Sequence, residues 1–123
     1  MMKLHRSVTR LILLASLAGA LAGALAAAEV QGILMDKNCS MKAVKEGQQA
    51  AVMHTRECAL MPESEKSGYG VFTADNRFLV FDAAGNKQAS KALKASTKKD
   101  NLKVKVKGEI DGDTIKVATL KLQ

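Results

Sequence analysis

The chain has 123 residues, 47% of them hydrophobic and 25% charged, with a formal net charge of +7. This length allows one small domain with a modest core. Aromatic side chains are only 3% and tryptophan is absent, which leaves little for stacking against bases and argues against nucleic-acid binding.

Residues 1–28 have the order of an export signal. Lys3, Arg6 and Arg10 precede the uncharged run LILLASLAGALAGAL, and small alanines then favour cleavage between Ala28 and Glu29. The apolar run is too short and too poorly flanked for a membrane span. The expected product is a periplasmic or secreted domain, residues 29–123, that does not span the membrane. Loss of the leader removes three basic residues, so the net charge falls from +7 to +4.

EVQGILMD predicts a first strand over Val30–Met35. Residues 36–67 lack strand alternation and form a long excursion. Asn38 or Ser40 would cap a helix there, Gly47 would weaken it and Pro62 would mark its end. If its later part is helical, His54, Cys58 and Met61 share one face. YGVFT and RFLVF, separated by ADN, read as a hairpin; DAAGN closes the second strand, and KQASKALKAST follows as a short helix. LKVKVKGEI alternates strictly, so Leu102, Val104 and Val106 face inward while Lys103, Lys105 and Lys107 face water. DGD turns the chain and TIKVATLKL returns it. The order predicts a mainly β fold with short helices. Its form is a five-stranded OB-like Greek-key barrel, with one helix between strands 3 and 4 and a long helical excursion after strand 1.

The chemistry concentrates in MDKNCSM and MHTRECALM. Cys39 and Cys58 are the only cysteines, and an exported chain meets an oxidising compartment, so a Cys39–Cys58 disulfide stapling the excursion is the first reading. Such a loop would contribute roughly 3 kcal/mol. The alternative is a soft-metal site for copper or zinc, with Cys39, His54 and Cys58 as ligands and Met41 or Met61 as a weak fourth. The spacing matches no standard zinc motif, and methionines also serve as ordinary core fillers. A catalytic thiol at Cys58 activated by His54 is the third option, without a C-x-x-C motif to support it. No Ser–His–Asp set is available, because His54 is the only histidine after cleavage. No enzymatic activity and no cofactor are expected under the first reading.

Positive charge gathers toward the C-terminus. Lys91, Lys94 and Lys98 on the predicted helix, with Lys103, Lys105 and Lys107 on the following strand, offer a face for weak contact with anionic surfaces. The same lysines serve equally as a solvated face.

The segments GILMDKNCSM, MHTRECALM, SGYGVF, FDAAGN and VKVKGEIDGDTIKV, taken as a set, resemble a group of small exported bacterial proteins. Their pattern is GxxxDxxC, HxxxC, SGYG and a closing VxGxxxxDxIxV hairpin. The hairpin is similar to the end of periplasmic bacterial OB-fold proteins. The resemblance implies motif positions at Asp36, Cys39, His54 and Cys58, with Gly68 and Gly70 framing the second strand. The functional expectation is an exported binding or accessory module for a small ligand or protein partner.

Overall fold

A computed structural model describes residues 27–123, so the expected export segment lies outside the described residues except for Ala27 and Ala28. The elements in chain order are β1 (Ala27–Asp36), α1 (Lys37–Glu46), α2 (Gln48–Val52), α3 (Arg56–Ala59), α4 (Pro62–Ser67), β2 (Tyr69–Thr73), β3 (Phe78–Phe81), α5 (Ala83–Ala95), β4 (Lys103–Asp111) and β5 (Thr114–Leu122). None of the helices among these residues is long and apolar enough to cross a membrane.

The five strands close into a ring of hydrogen bonds in the order β1-β2-β3-β5-β4. Every neighbouring pair is antiparallel except β3 and β5, which run parallel. Closure depends on β1, which pairs β4 along its first half and β2 along its second. Gly32 sits where the two pairings overlap, opposite both Thr73 and Val104. A Cβ there would stand 2.2 Å from the Phe72 carbonyl oxygen, so only glycine lets the strands approach.

Alternation along the strands feeds two separate apolar clusters. Leu34, Val71, Leu79, Phe81, Leu102, Val104, Val106 and Ile115 fill the interior, with Ala89 and Leu93 of α5 packed among them. On the other face of β1 and β2, Ile33, Met35 and Phe72 lie beneath Ala43 and Ala51 of the excursion. A strand covered on both faces reads as a continuous apolar run, which is the form ILM takes in β1.

The closing hairpin follows its pattern. Leu102, Val104 and Val106 are fully buried, Lys103 and Lys107 are exposed, and Lys105 is half-buried. Asp111 pairs with Thr114, and Gly112 takes φ +64° in the connection between them.

Two expectations need correction. Helix and strand are nearly equal among the described residues, 39% and 38%, so the chain is not mainly β; four helices occupy the excursion. The DAAGN segment does not close β3 but begins α5, with Asp82 as its cap. Asp82 Oδ1 accepts from the Gly85 amide at 3.0 Å and from the Val117 amide at 3.1 Å, fixing helix to strand. Gly85 lies inside the helix because a Cβ would come 2.5 Å from Val117 Cγ2.

The excursion is fastened by polar groups. The Lys37 amide donates to the Gly68 carbonyl at 2.8 Å, and the Asn101 amide to that of Val52 at 2.9 Å. Arg56 donates through Nε to the Leu93 carbonyl at 2.6 Å, and its own amide donates to Lys99. The buried Tyr69 hydroxyl donates to the Ala59 carbonyl at 2.7 Å. These bonds fasten the excursion to the barrel and to the segments around it.

Candidate metal centre

Asp36 ends β1 and caps α1. Its Oδ2 accepts from the Cys39 amide at 3.0 Å, satisfying one of the orphan donors at the start of the helix. Thr55 repeats the device at α3, where its Oγ1 accepts from the Cys58 amide at 3.1 Å. DKNC and TREC are therefore the same local structure, a cap followed by a cysteine at the third helical position. Each cap fixes the backbone that carries a thiol.

His54 lies in the link between α2 and α3, and its imidazole turns inward. Its Nε2 stands 2.9 Å from Asp36 Oδ1, with side-chain exposures of 5% and 0%. The contact is close but off the line that a hydrogen bond requires, so both atoms are buried without a well-formed partner. Unpartnered polar atoms at that depth carry a cost that a fully satisfied network would not. His54 is buried, and the buried Asp36 carboxylate faces its imidazole.

Asp36, Cys39 and His54 each offer one ligand atom, and these atoms all lie within 4.8 Å of one another. Ligands around a single zinc or copper ion stand about 3–4 Å apart, so small side-chain adjustments would close the set. Cys58 is exposed and lines the same cleft, of about 510 Å³, together with Met35, Cys39, Met53 and His54.

The electrostatics fit a cation. Burial alone would raise the Asp36 carboxyl, but the His54 contact and the Cys39 amide outweigh it and hold the group below its ordinary value. Burial, and then the Asp36 carboxylate, push the Cys39 thiol up to about 11. At neutral pH that thiol keeps its proton and is a poor nucleophile. A bound metal ion would take the place of the proton.

The expected site residues are only partly brought together. Cys39, His54 and Cys58 share the cleft, whereas Met41 lines a separate groove with Val44 and Phe78, and Met61 is exposed outside the cleft lining. Cys39 and Cys58 are free thiols and are not bonded to each other. Asp36 entered the sequence reading only as a motif position, and Met53 only as a possible core filler. The D-x-x-C spacing of a helix cap and the adjacency of Met53 to His54 were the available signals.

The six lysines of the expected anionic-contact face are divided between α5 with the link that follows it, and β4. Lys94 Nζ stands 3.4 Å from Glu65, Lys105 and Lys107 stand 3.9 Å from Glu29, and Lys98 donates to the Gln123 carbonyl at 2.7 Å. Only Lys91 and Lys103 of that set lack such a partner among these contacts. No protein-family model, no curated protein and no solved structure matches the chain.

Proposed function

We propose that the protein is an exported accessory module that binds a soft metal ion, built on an OB-like Greek-key barrel. The carrying observation is the Asp36–Cys39–His54 group, with Asp36 and His54 buried and Cys39 half-buried, whose ligand atoms gather within 4.8 Å. Thiolate and imidazole together suit copper or zinc. The role is binding rather than catalysis, since burial and the Asp36 carboxylate keep the Cys39 thiol protonated. Support for the OB-like reading comes from the strand order, the parallel β3–β5 pair and the placing of α5 between β3 and β4.

Titration of the reduced chain with Zn(II) or Cu(I) against a competing chelator tests this. One equivalent should bind, and His54→Ala or Cys39→Ser should weaken it by more than roughly 100-fold, beyond the loss of an outer-shell partner. Absence of binding at micromolar metal would sink the proposal.

A second reading keeps Cys39 and Cys58 as a disulfide formed after export; both line one cleft, but as free thiols they are not near each other. Forming it would draw the start of α1 toward α3 and remove both thiolates from ligation. Intact mass of the exported protein after alkylation without reduction separates the two: no label and a loss of two hydrogens supports the disulfide, two labels the metal site.

A further inference from the structure

We propose that the groove α1 forms with Phe78 of β3 binds a medium-chain carboxylate, an unbranched apolar chain ending in an anionic head. This site is separate from the Asp36–Cys39–His54 group and does not depend on the metal reading.

α1 presents a different surface to each side. Cys39, Lys42 and Glu46 line the cleft already described, where acid and base occur together. Lys37, Met41, Val44 and Lys45 line the other recess, of about 660 Å³, together with Phe78. Positions 37, 41, 44 and 45 follow the spacing that keeps side chains on one helical face. Met41 is 65% exposed and Val44 51%, and neither belongs to an apolar cluster. Phe78 is half-buried and packs against the cluster beneath the excursion. Core packing therefore accounts for Phe78 and not for the two apolar side chains beside it.

The charge around this apolar strip is of one sign. Lys37 and Lys45 are exposed, no carboxylate lines the groove, and neither lysine belongs to an ion pair among the described residues. A cation or a neutral hydrocarbon would leave both lysines without counter-charge. A second copy seated symmetrically on this face would set lysine against lysine. A protein or bilayer surface needs a broader apolar face than Met41, Val44 and Phe78 supply, whereas a recess of this volume is the size of a small-ligand site. An apolar chain with an anionic head satisfies both features.

The length of the strip sets the length of the chain. Lys37 and Lys45 are eight residues apart, about 12 Å along the helix, which an extended chain of about ten carbons spans. The chain lies along Met41 and Val44, the head pairs with the ammonium at one end, and the methylene stem of the other lysine covers the chain terminus.

The test titrates the isotope-labelled protein with decanoate, hexanoate and decyltrimethylammonium, each below micelle formation. Decanoate should shift the Met41 and Val44 methyls and the Phe78 ring saturably, and leave Met53 and Met61, exposed elsewhere, unmoved. Hexanoate should bind roughly tenfold more weakly, the loss of four half-covered methylenes. Lys37→Glu combined with Lys45→Glu should weaken decanoate roughly tenfold and admit decyltrimethylammonium in its place, which also shows the charge-reversed chain to be folded. Met41→Gln, a good helix former of similar size, should weaken decanoate and hexanoate alike.

Equal shifts at all four exposed apolar residues, or equal binding of the anionic and cationic amphiphiles, would overturn the inference by reducing the groove to bare apolar surface. Absence of saturable decanoate binding at millimolar concentration would do the same. Met41 and Val44 shifts that grow with protein concentration alone would assign the face to a second copy. Capture by phosphatidylglycerol vesicles without any binding of free decanoate would assign it to a bilayer, and either result removes the carboxylate site.

Discussion

The barrel and the excursion over residues 37–68 are held together by different forces. The interior of the ring is closed by side chains such as Leu34, Val104 and Ile115, each fully buried. The excursion places only Ala43, Ala51 and Ala59 as fully buried hydrophobics, and it carries every exposed large hydrophobic residue of the described chain: Met41, Val44, Met53 and Met61. Its helices run from four to ten residues, too short to be stable alone, and are held by caps and by bonds from Arg56, Tyr69 and Asn101. The barrel is scaffold; residues that packing leaves unexplained lie on the excursion, where the candidate site is.

That division can be broken most forcefully from the barrel side. Leu34→Ala removes a fully buried side chain from the interior cluster and should cost about 2–5 kcal/mol in urea unfolding. Because β1 also ends in Asp36, metal binding should be lost in the same transition. If binding survived the unfolding of the barrel, the excursion would be an independent unit.

The second difference is chemical and concerns the two thiols. Raising the Cys39 thiol from 9.0 to about 11 lowers its thiolate fraction near pH 8 about a hundredfold. In the reduced, metal-free chain, iodoacetamide should label the exposed Cys58 first, with Cys39 lagging because its thiol is held protonated and is half-buried. Equal rates would mean that α1 opens freely, and the cleft would lose its floor.

How much of this was legible in the sequence follows the same division. β4 and β5 were readable because solvent-facing lysines alternate with inward valines, and a period of two needs no knowledge of the rest of the fold. α5 began earlier than its Lys- and Ala-rich segment predicted because Gly85 resembles a turn residue; the close approach of Val117, which requires glycine, is a tertiary fact. The excursion showed no period because each helix ends within a few turns, α1 at Gly47 with φ +95°. Cys39, His54 and Cys58 stood out by residue type alone. Asp36 was hidden as a cap, and Met53 could be separated from Met35 only by exposure. The disulfide expectation came from compartment and loop closure, whereas the hydrogen bonds that fasten the loop are invisible in sequence.

Tyr69→Phe sharpens the comparison at the seam. Its hydroxyl bond to the Ala59 carbonyl is buried, and removing the donor should cost about 1–3 kcal/mol while leaving the ring in the barrel core. Hydrogen exchange should then rise chiefly over residues 55–61. A uniform rise through β4 and β5 would show that excursion and barrel open as one body.

The smallest expected effect is the most local. Thr55→Ala removes the cap of α3 and should cost about 1 kcal/mol, with Thr55→Ser restoring most of it. If the barrel is scaffold and the excursion a pinned loop, that loss falls on local opening around Cys58, and urea unfolding of the barrel moves little. Metal affinity should still fall, because the cap fixes the backbone carrying an accessible thiol. A full 1 kcal/mol in global stability with unchanged affinity would reverse the assignment: α3 would then support the barrel, and Cys58 would lie outside the site.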